Sequence, residues 1–452
     1  MKNISKIISI AFLSFSILLL CYVFYRSQIF HSGTRFDYYF KYYVIVFLFI
    51  FFSFISFFIP KKLKINISIS LISIVFALFI VEGYLIISED STRIDKSIRK
   101  INSVIYKNKT GKEYDQRSRL EIYNDLKKED PNIVVTIYPS LLKYDKNLDY
   151  LPLSGLSNRK TIFCNENGYY ALYKSDRYGF NNPDEEWDKE KIDYLLIGDS
   201  FVHGECVNEP DTISGNLRKL NNSENGVLNL GMGMNESLLE YATLKEYFPT
   251  KKVKRVLWLY YANDLAGLKA ELENQILVNY LNDKNFTQNL ILKKQKVEKI
   301  LFKKLEQEVL KQEYNSRSKT FILIRFVKLN SIRKILFPYI SQDPEPIKEF
   351  RDILKLSNEF TKQNNSKLYF IYLPSFAMYD NKKNSVYHRE LKQVAHVVES
   401  LNIPLIDVHK KLFEKHNDPL SLFPFRKNGH YNELGYQLVS ETIFNKIHEL
   451  ER

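Results

Sequence analysis

Three apolar runs near the start of the chain, residues 7–25, 42–59 and 67–87, constrain it more than any other feature. Each is close to the ~20 residues a helix needs to cross the hydrocarbon core of a bilayer. One acidic residue, Glu82, interrupts them, near the end of the third run. A buried core helix would account for one such run. Three in succession, rich in Phe, Ile and Leu, predict membrane spans.

The flanking charges set the orientation. Lys2 and Lys6 precede the first run, and Lys61, Lys62 and Lys64 crowd the second connection, which predicts that both segments are cytoplasmic. Arg26, Arg35 and Lys41 against Asp37 weaken the contrast in the first connection, but an odd number of spans sends everything after Ser88 outside. No small-x-small cleavage site follows the first run, which argues against a cleaved signal. Cys21 follows Leu20 rather than a small residue, so it does not resemble a lipoprotein acylation site and reads as a membrane-buried thiol.

Of the formal net charge of +13, residues 1–88 hold +6 and the outer part +7. A basic outer surface suits anionic lipid or an acidic glycan. No aromatic–basic motif supports a nucleic-acid partner. Cys164 and Cys206 are the two cysteines beyond the apolar runs. In an oxidising compartment they form either a disulfide, tying the segment before residue 190 to the loop after residue 198, or two free thiols.

Residues 89–130 are highly charged without a clear apolar period and read as a juxtamembrane helix or linker. From 133 to 182, short apolar pieces (IVVTIY, TIFC, YYALY) alternate with the turn-formers PLSG, NENG and DRYGFNNPD, which predicts a small β-rich preamble. After Lys191 strands and helices alternate, as in an α/β layer fold with a parallel sheet. The strand candidates are 194–197, 226–230, 255–260, 368–372 and 404–406, with helices over 237–247, 387–401 and 432–450. The chain thus divides into 1–88 (three transmembrane helices), 89–190 (linker and preamble) and 191–452, with a helical insertion at 266–346. Within the insertion, Val297, Ile300, Leu301, Leu305 and Val309 fall near one helical face. A helix covering the domain is the favoured reading. The lysine-rich opposite face leaves a membrane-surface or lid role as the alternative.

Ligands of open parallel sheets bind outside the carboxyl ends of the strands, which makes the residues after each strand the ones to inspect. Those residues are Gly198-Asp199-Ser200, then Asn229-Leu230-Gly231-Met232-Gly233-Met234-Asn235, then Ala262-Asn263-Asp264. Asn428-Gly429-His430-Tyr431-Asn432 precedes the last helix. A nucleophilic serine needs a base in hydrogen-bond reach, and acyl transfer needs donors aimed at the developing oxyanion. Taken singly, Ser200 is also a helix cap, Asn263-Asp264 a turn, and His430 a neighbour of the Asn432 cap.

In this ordered set, strand-GDS, strand-NLG, strand-ND and late GHYN, the sequence resembles the SGNH/GDSL hydrolase superfamily from about Lys191 onward, and DRYGFNNPD looks like the lead-in of some bacterial members. The resemblance implies a flavodoxin-like three-layer fold with Ser200 as nucleophile and His430 as base. It also implies an oxyanion hole from the Ser200 N–H, a block-two turn N–H and the Asn263 side chain. Asp199 is expected to hold the nucleophile loop, with Asp264 in a supporting role, Asp407 structural and His203 an exposed loop residue.

Two departures bear on the site. The family's aspartate two or three residues before the histidine is replaced by Lys427 and Asn428. The site is then a Ser-His dyad, borrows Asp418 or another carboxylate, or is feeble, with Asn428 as the candidate third member. The family's block-two spacing from Asn229 lands on Met234; Gly233 would serve as the oxyanion donor with a one-residue shift, and because the donor is a backbone N–H, methionine is not excluded. The implied activity is that of an extracytoplasmic, membrane-tethered acyl-ester hydrolase or O-acyltransferase acting on an envelope glycan or lipid-linked saccharide, with the bilayer as its other partner and no cofactor or metal. The alternative is a catalytically degenerate binding or assembly protein of the same fold. A membrane sensor is disfavoured, because few residues precede the first run.

Overall fold

The computed structural model describes residues 2–452 except 31, 32, 34, 35, 89, 90, 146, 223, 262, 263, 318, 337–345 and 381–383. It comprises two compact units: residues 1–95 with 317–343, and residues 96–316 with 344–452.

Among the described residues, the first unit contains three helices long and apolar enough to cross a membrane, with candidate spans Ser5–Phe30, Tyr38–Ile55 and Lys61–Ile86, the last lying in the helix Lys61–Ser88. Most of their large apolar side chains face outward, as lipid-facing helices require. Polar contacts tie them together: the Ser16 and Ser53 hydroxyls are 3.0 Å apart, and Lys64 Nζ donates to Ser5 O and Ser9 Oγ at 3.0 and 2.8 Å. Cys21 is a free thiol on the outward face of the first helix.

In the second unit, β1 (Val134–Val135), β2 (Lys160–Ile162) and β3 (Leu172–Lys174) form the small preamble sheet. The main sheet is built from β4 (Lys191–Gly198), β5 (Gly226–Asn229), β6 (Lys252–Tyr261), β7 (Lys367–Leu373) and β8 (Leu405–Asp407). Its order is β5-β4-β6-β7-β8, parallel throughout. This doubly wound topology reverses direction at β4, the strand that leads into Ser200.

The strands read as continuous apolar runs because both sheet faces are covered. Val256, Trp258 and Tyr260 of β6 enter one core with helices Ser237–Tyr247 and Ile347–Gln363. Leu257 and Leu259 enter the other, with Ile213–Leu220 and Glu433–Leu450.

The insertion divides between the two units. Val297, Leu301 and Leu305 of helix Lys294–Arg317 are buried in the same core as the sheet and preamble, as the covering-helix reading expects. Residues 317–343 belong instead to the apolar helical unit.

Candidate active site

β4 ends at Gly198, where φ is +155° and a Cβ would stand 2.4 Å from Val202 Cγ2 and 2.7 Å from Leu259 O. Only glycine fits this turn, which leads directly into the short helix Ser200–His203. The Asp199 carboxylate caps that helix by accepting from the Phe201 N–H at 2.9 Å. Ser200 thus sits at the head of a helix, at the carboxyl edge of the sheet.

Asn229, at the end of β5, pins the neighbouring turn. Its side-chain amide donates to Val202 O at 2.7 Å, and its oxygen accepts from the Gly231 N–H at 2.8 Å. The DRYGFNNPD lead-in supports the same place. Asn182 Oδ1 accepts from the Asn229 N–H at 2.8 Å while its amide donates to Asn229 O at 2.9 Å.

His430 arrives from the other end of the chain, two residues before Asn432, which caps the final helix by accepting from the Gly435 N–H at 2.9 Å. Its Nε2 lies 2.9 Å from Ser200 Oγ. Phe201 packs against the imidazole and against Tyr431 at ring-centroid distances of 4.9 and 4.8 Å. The two residues expected to meet do meet, across a sequence separation of 230.

The carboxylate facing the far side of the ring is Glu166. Its Oε1 lies 3.1 Å from His430 Nδ1, and its Oε2 accepts from the His430 backbone N–H at 2.7 Å. Asn428 does not take this place. It is exposed on the loop, and Nδ1 is occupied by Glu166. Asp418 is paired with Arg426 instead.

Glu166 stands in the NENG turn between β2 and β3, and that turn is stapled to the loop that follows Ser200. Cys164 and Cys206 form a disulfide. Asn167 Nδ2 donates to Cys206 O at 3.0 Å, and the Gly168 N–H donates to Asn165 Oδ1 at 2.9 Å. Glu166, Cys206 and His430 approach closely enough to suggest a metal trio. The donor set does not fit one, because Sγ is consumed by the disulfide and the other two groups bond each other.

Burial by itself would lower the His430 pKa. The hydrogen bond and charge of Glu166, with the charges of Glu205 and Asp199, outweigh it and push the imidazole up to about 9. Glu205 is a buried carboxylate near the ring that sequence reading did not single out. It lies 3.9 Å from His430 Nε2 and accepts from the Tyr138 hydroxyl at 3.1 Å.

His203, expected to be exposed, is fully buried at the end of the helix Ser200–His203, against Phe163 and Tyr173 of the preamble. Its Nδ1 faces the Gly233 N–H at 3.3 Å and its Nε2 the Tyr173 hydroxyl at 3.3 Å. That contact commits the Gly233 N–H, which is therefore not aimed at a substrate oxygen. The adjacent Met234, at the family's spacing, has φ +64° and a side chain open to solvent. Asn263 lies outside the described residues. Asp264 is buried and accepts from the Tyr261 N–H, at the end of β6, at 2.8 Å.

Asp264 belongs to a group of buried carboxyls with Asp199, Glu236, Glu240 and Glu271, whose charges act on one another. Burial raises each: Asp199 to about 6, Glu271 to about 7 and Glu236 to about 9, Glu236 also being pushed up by Glu271.

Fold and site together describe a doubly wound α/β domain with Ser200, His430 and Glu166 in hydrogen-bond contact at the carboxyl edge of its sheet. Among solved structures, the chain is similar to a putative lipolytic protein of the G-D-S-L family from Desulfitobacterium hafniense, at 14% identity over 56% of this chain and 97% of that one, TM-score 0.32. It is likewise similar to the lipase/acylhydrolase from Enterococcus faecalis (14%, 57% and 95%, TM-score 0.33). A carbohydrate acetylesterase family member from Sinorhizobium meliloti gives 8%, 57% and 98%, with TM-score 0.28. No family model and no curated protein matches the chain.

Proposed function

We propose that this chain is a membrane-tethered serine acyl-ester hydrolase or O-acyltransferase of the SGNH/GDSL type, with Ser200, His430 and Glu166 as its relay. The observation that carries the reading is the pair of contacts on one imidazole: Ser200 Oγ at 2.9 Å from Nε2 and Glu166 Oε1 at 3.1 Å from Nδ1.

In the proposed reaction Ser200 Oγ attacks the acyl carbonyl as its proton passes to His430 Nε2. Glu166 holds the ring by its Nδ1–H and stabilises the imidazolium. The tetrahedral intermediate collapses, and the departing alkoxide takes the proton from Nε2, leaving an acyl-Ser200 ester. Water or a sugar hydroxyl, deprotonated by the same nitrogen, reverses these steps and frees Ser200. The Ser200 and Met234 N–H groups and the Asn263 amide are the proposed oxyanion donors, with Met234 in place of Gly233.

The lysine-flanked apolar helices support an outward-facing second unit, and that placement favours an acetylated or otherwise acylated envelope glycan or lipid-linked saccharide as substrate. The reading as an inactive binding protein rested on a missing carboxylate, and Glu166 removes that motive. The test is turnover of a short-chain aryl acetate by the detergent-solubilised full chain, with intact-mass detection of a serine-linked acetyl group. Acetyl release and an acetyl adduct that both require Ser200 support the proposal, and their absence from folded protein contradicts it. Reporter fusions after Ser88 test the compartment separately: cytoplasmic reporter activity there would remove the envelope substrate.

A further inference from the structure

Glu82, the one acid in the three apolar runs, is fully buried in the helix Lys61–Ser88. An unpartnered carboxylate at such a place is costly. Its partners come from the insertion: the Ser331 N–H donates to Oε1 at 2.8 Å and the Ile332 N–H to Oε2 at 2.9 Å. These donors open the short helix Asn330–Leu336. The preceding helix, Lys319–Val327, packs on the same face one turn away. Phe326 meets the Phe79 ring at 5.2 Å, and a Cβ on Gly83 would stand 3.5 Å from the Phe326 ring.

Two neighbours fix the depth. Glu82 lies four residues from the end of the span Lys61–Ile86, and Tyr42 four residues into the span Tyr38–Ile55, each about 6 Å from a span end. The Arg333 guanidinium lies over the Tyr42 ring at 5.4 Å and 3.4 Å from its hydroxyl, so one short segment meets both helix ends. Consecutive spans run in opposite directions, which puts the start of the second and the end of the third on the same side. Tyrosines 38, 39, 42 and 43 are gathered there, as aromatic residues are at a membrane–water boundary. Leu323, Val327, Ile335 and Leu336 are each at least 60% exposed on these two insertion helices.

We propose that residues 319–336, although encoded between two strands of the α/β domain, are a fourth membrane-embedded element. In this arrangement they lie in the outer leaflet against the third span, with those four side chains in lipid acyl chains and Arg333 reaching toward the headgroups. The occupant of the exposed face is lipid because that face continues the lipid-facing surface of the spans and is held at the level of their tyrosine belt. The inference rests on reading the three long helices as spans.

The test uses the full chain in proteoliposomes, with a Cys21→Ser background and a bimane fluorophore on single introduced cysteines. Doxyl-labelled phosphatidylcholine should quench Leu323→Cys and Ile335→Cys to within about twofold of the span position Ile72→Cys. Glu82→Ala should lower quenching at Ile335→Cys several-fold with Ile72→Cys unchanged, while Glu82→Gln, which keeps one acceptor oxygen, should retain more of it. Quenching at Ile72→Cys without quenching at 323 and 335 overturns the inference and leaves the spans standing. No quenching at any of the three overturns both.

Discussion

Glu166 contacts His430 twice, through Oε1 at 3.1 Å from Nδ1 and through Oε2, which accepts the His430 backbone N–H at 2.7 Å. The carboxylate therefore fixes both the ring and the loop that carries it, and it reaches them from a turn 264 residues earlier in the chain. Glu166→Gln, which keeps the shape but cannot stabilise an imidazolium, should lower kcat by roughly a hundredfold to ten-thousandfold with a small change in KM. Asn428→Asp should leave kcat within about twofold, since that position is exposed and Nδ1 is taken. A large gain from Asn428→Asp would show that Glu166 is not the operative partner.

The pH profile should carry the same signature. His430 must be neutral to accept the Ser200 proton, yet Glu166, Glu205 and Asp199 together hold its pKa up to about 9 against the effect of burial. For a non-ionising ester, kcat/KM should rise about tenfold per pH unit and level off near that value. Glu166→Gln should move the limb toward the ordinary 6.5 while lowering the plateau. The sign for stability is opposite. A histidine raised on folding stabilises fully below its unfolded value, and this contribution is lost as pH rises through about 9. A wild-type limb at or below pH 7 contradicts the assigned environment.

The disulfide should matter to catalysis more than to the fold of the sheet. Cys164 is two residues from Glu166, and Cys206 lies in the loop after the helix Ser200–His203. Cys164→Ser with Cys206→Ser should lower kcat at least tenfold by loosening the NENG turn, with KM much less affected. Reduction of wild-type protein should reproduce the loss, and reoxidation should restore it. Full activity under complete reduction, verified by mass, would show that Asn167 and Asn165 hold the turn unaided.

Much of this was legible in the sequence, and what was not has identifiable causes. The five strands of the main sheet read clearly because both of their faces are buried, and β4, β5 and β6 lead into three of the polar blocks the motif reading selected, the fourth preceding the last helix. Ser200 and His430 followed from those blocks. Glu166 did not, because a glutamate in a turn carries no periodic signal and NENG reads as chain punctuation. The usable clue was Cys164, whose bond to Cys206 brings residue 166 to the site once the pairing is known. His203 sits in a glycine-flanked loop and looked exposed. Its burial depends on Phe163 and Tyr173 from the preamble, a contact that local pattern does not encode. Gly233 fitted the motif by composition, but the direction of its N–H is set by that same histidine.

The buried acids beneath the site make a separate prediction. Burial and the charge of Glu271 raise Glu236 to about 9 from its ordinary 4.5. Its folded form holds its proton more tightly than the unfolded chain does, so its contribution is fully present below pH 4.5 and lost as pH rises toward 9. Glu236→Gln removes that dependence. Relative to wild type, the variant should gain at most about 1.4 kcal/mol per pH unit across the interval, seen as a Tm gap that widens by a few degrees from pH 5 to pH 9. A gap that stays constant or narrows would mean that Glu236 is ionised in the folded protein.

The central claim is that Ser200 is a nucleophile activated by His430 and oriented through Glu166, and covalent labelling by a fluorophosphonate tests it most directly. The full-length protein in detergent should label with one adduct, mapped by mass spectrometry to the peptide containing Ser200. Ser200→Ala should abolish the signal, and His430→Ala and Glu166→Gln should slow it by at least about a hundredfold and tenfold respectively. Labelling that persists in Ser200→Ala, or a folded wild-type protein that no serine-directed probe labels, would contradict the account.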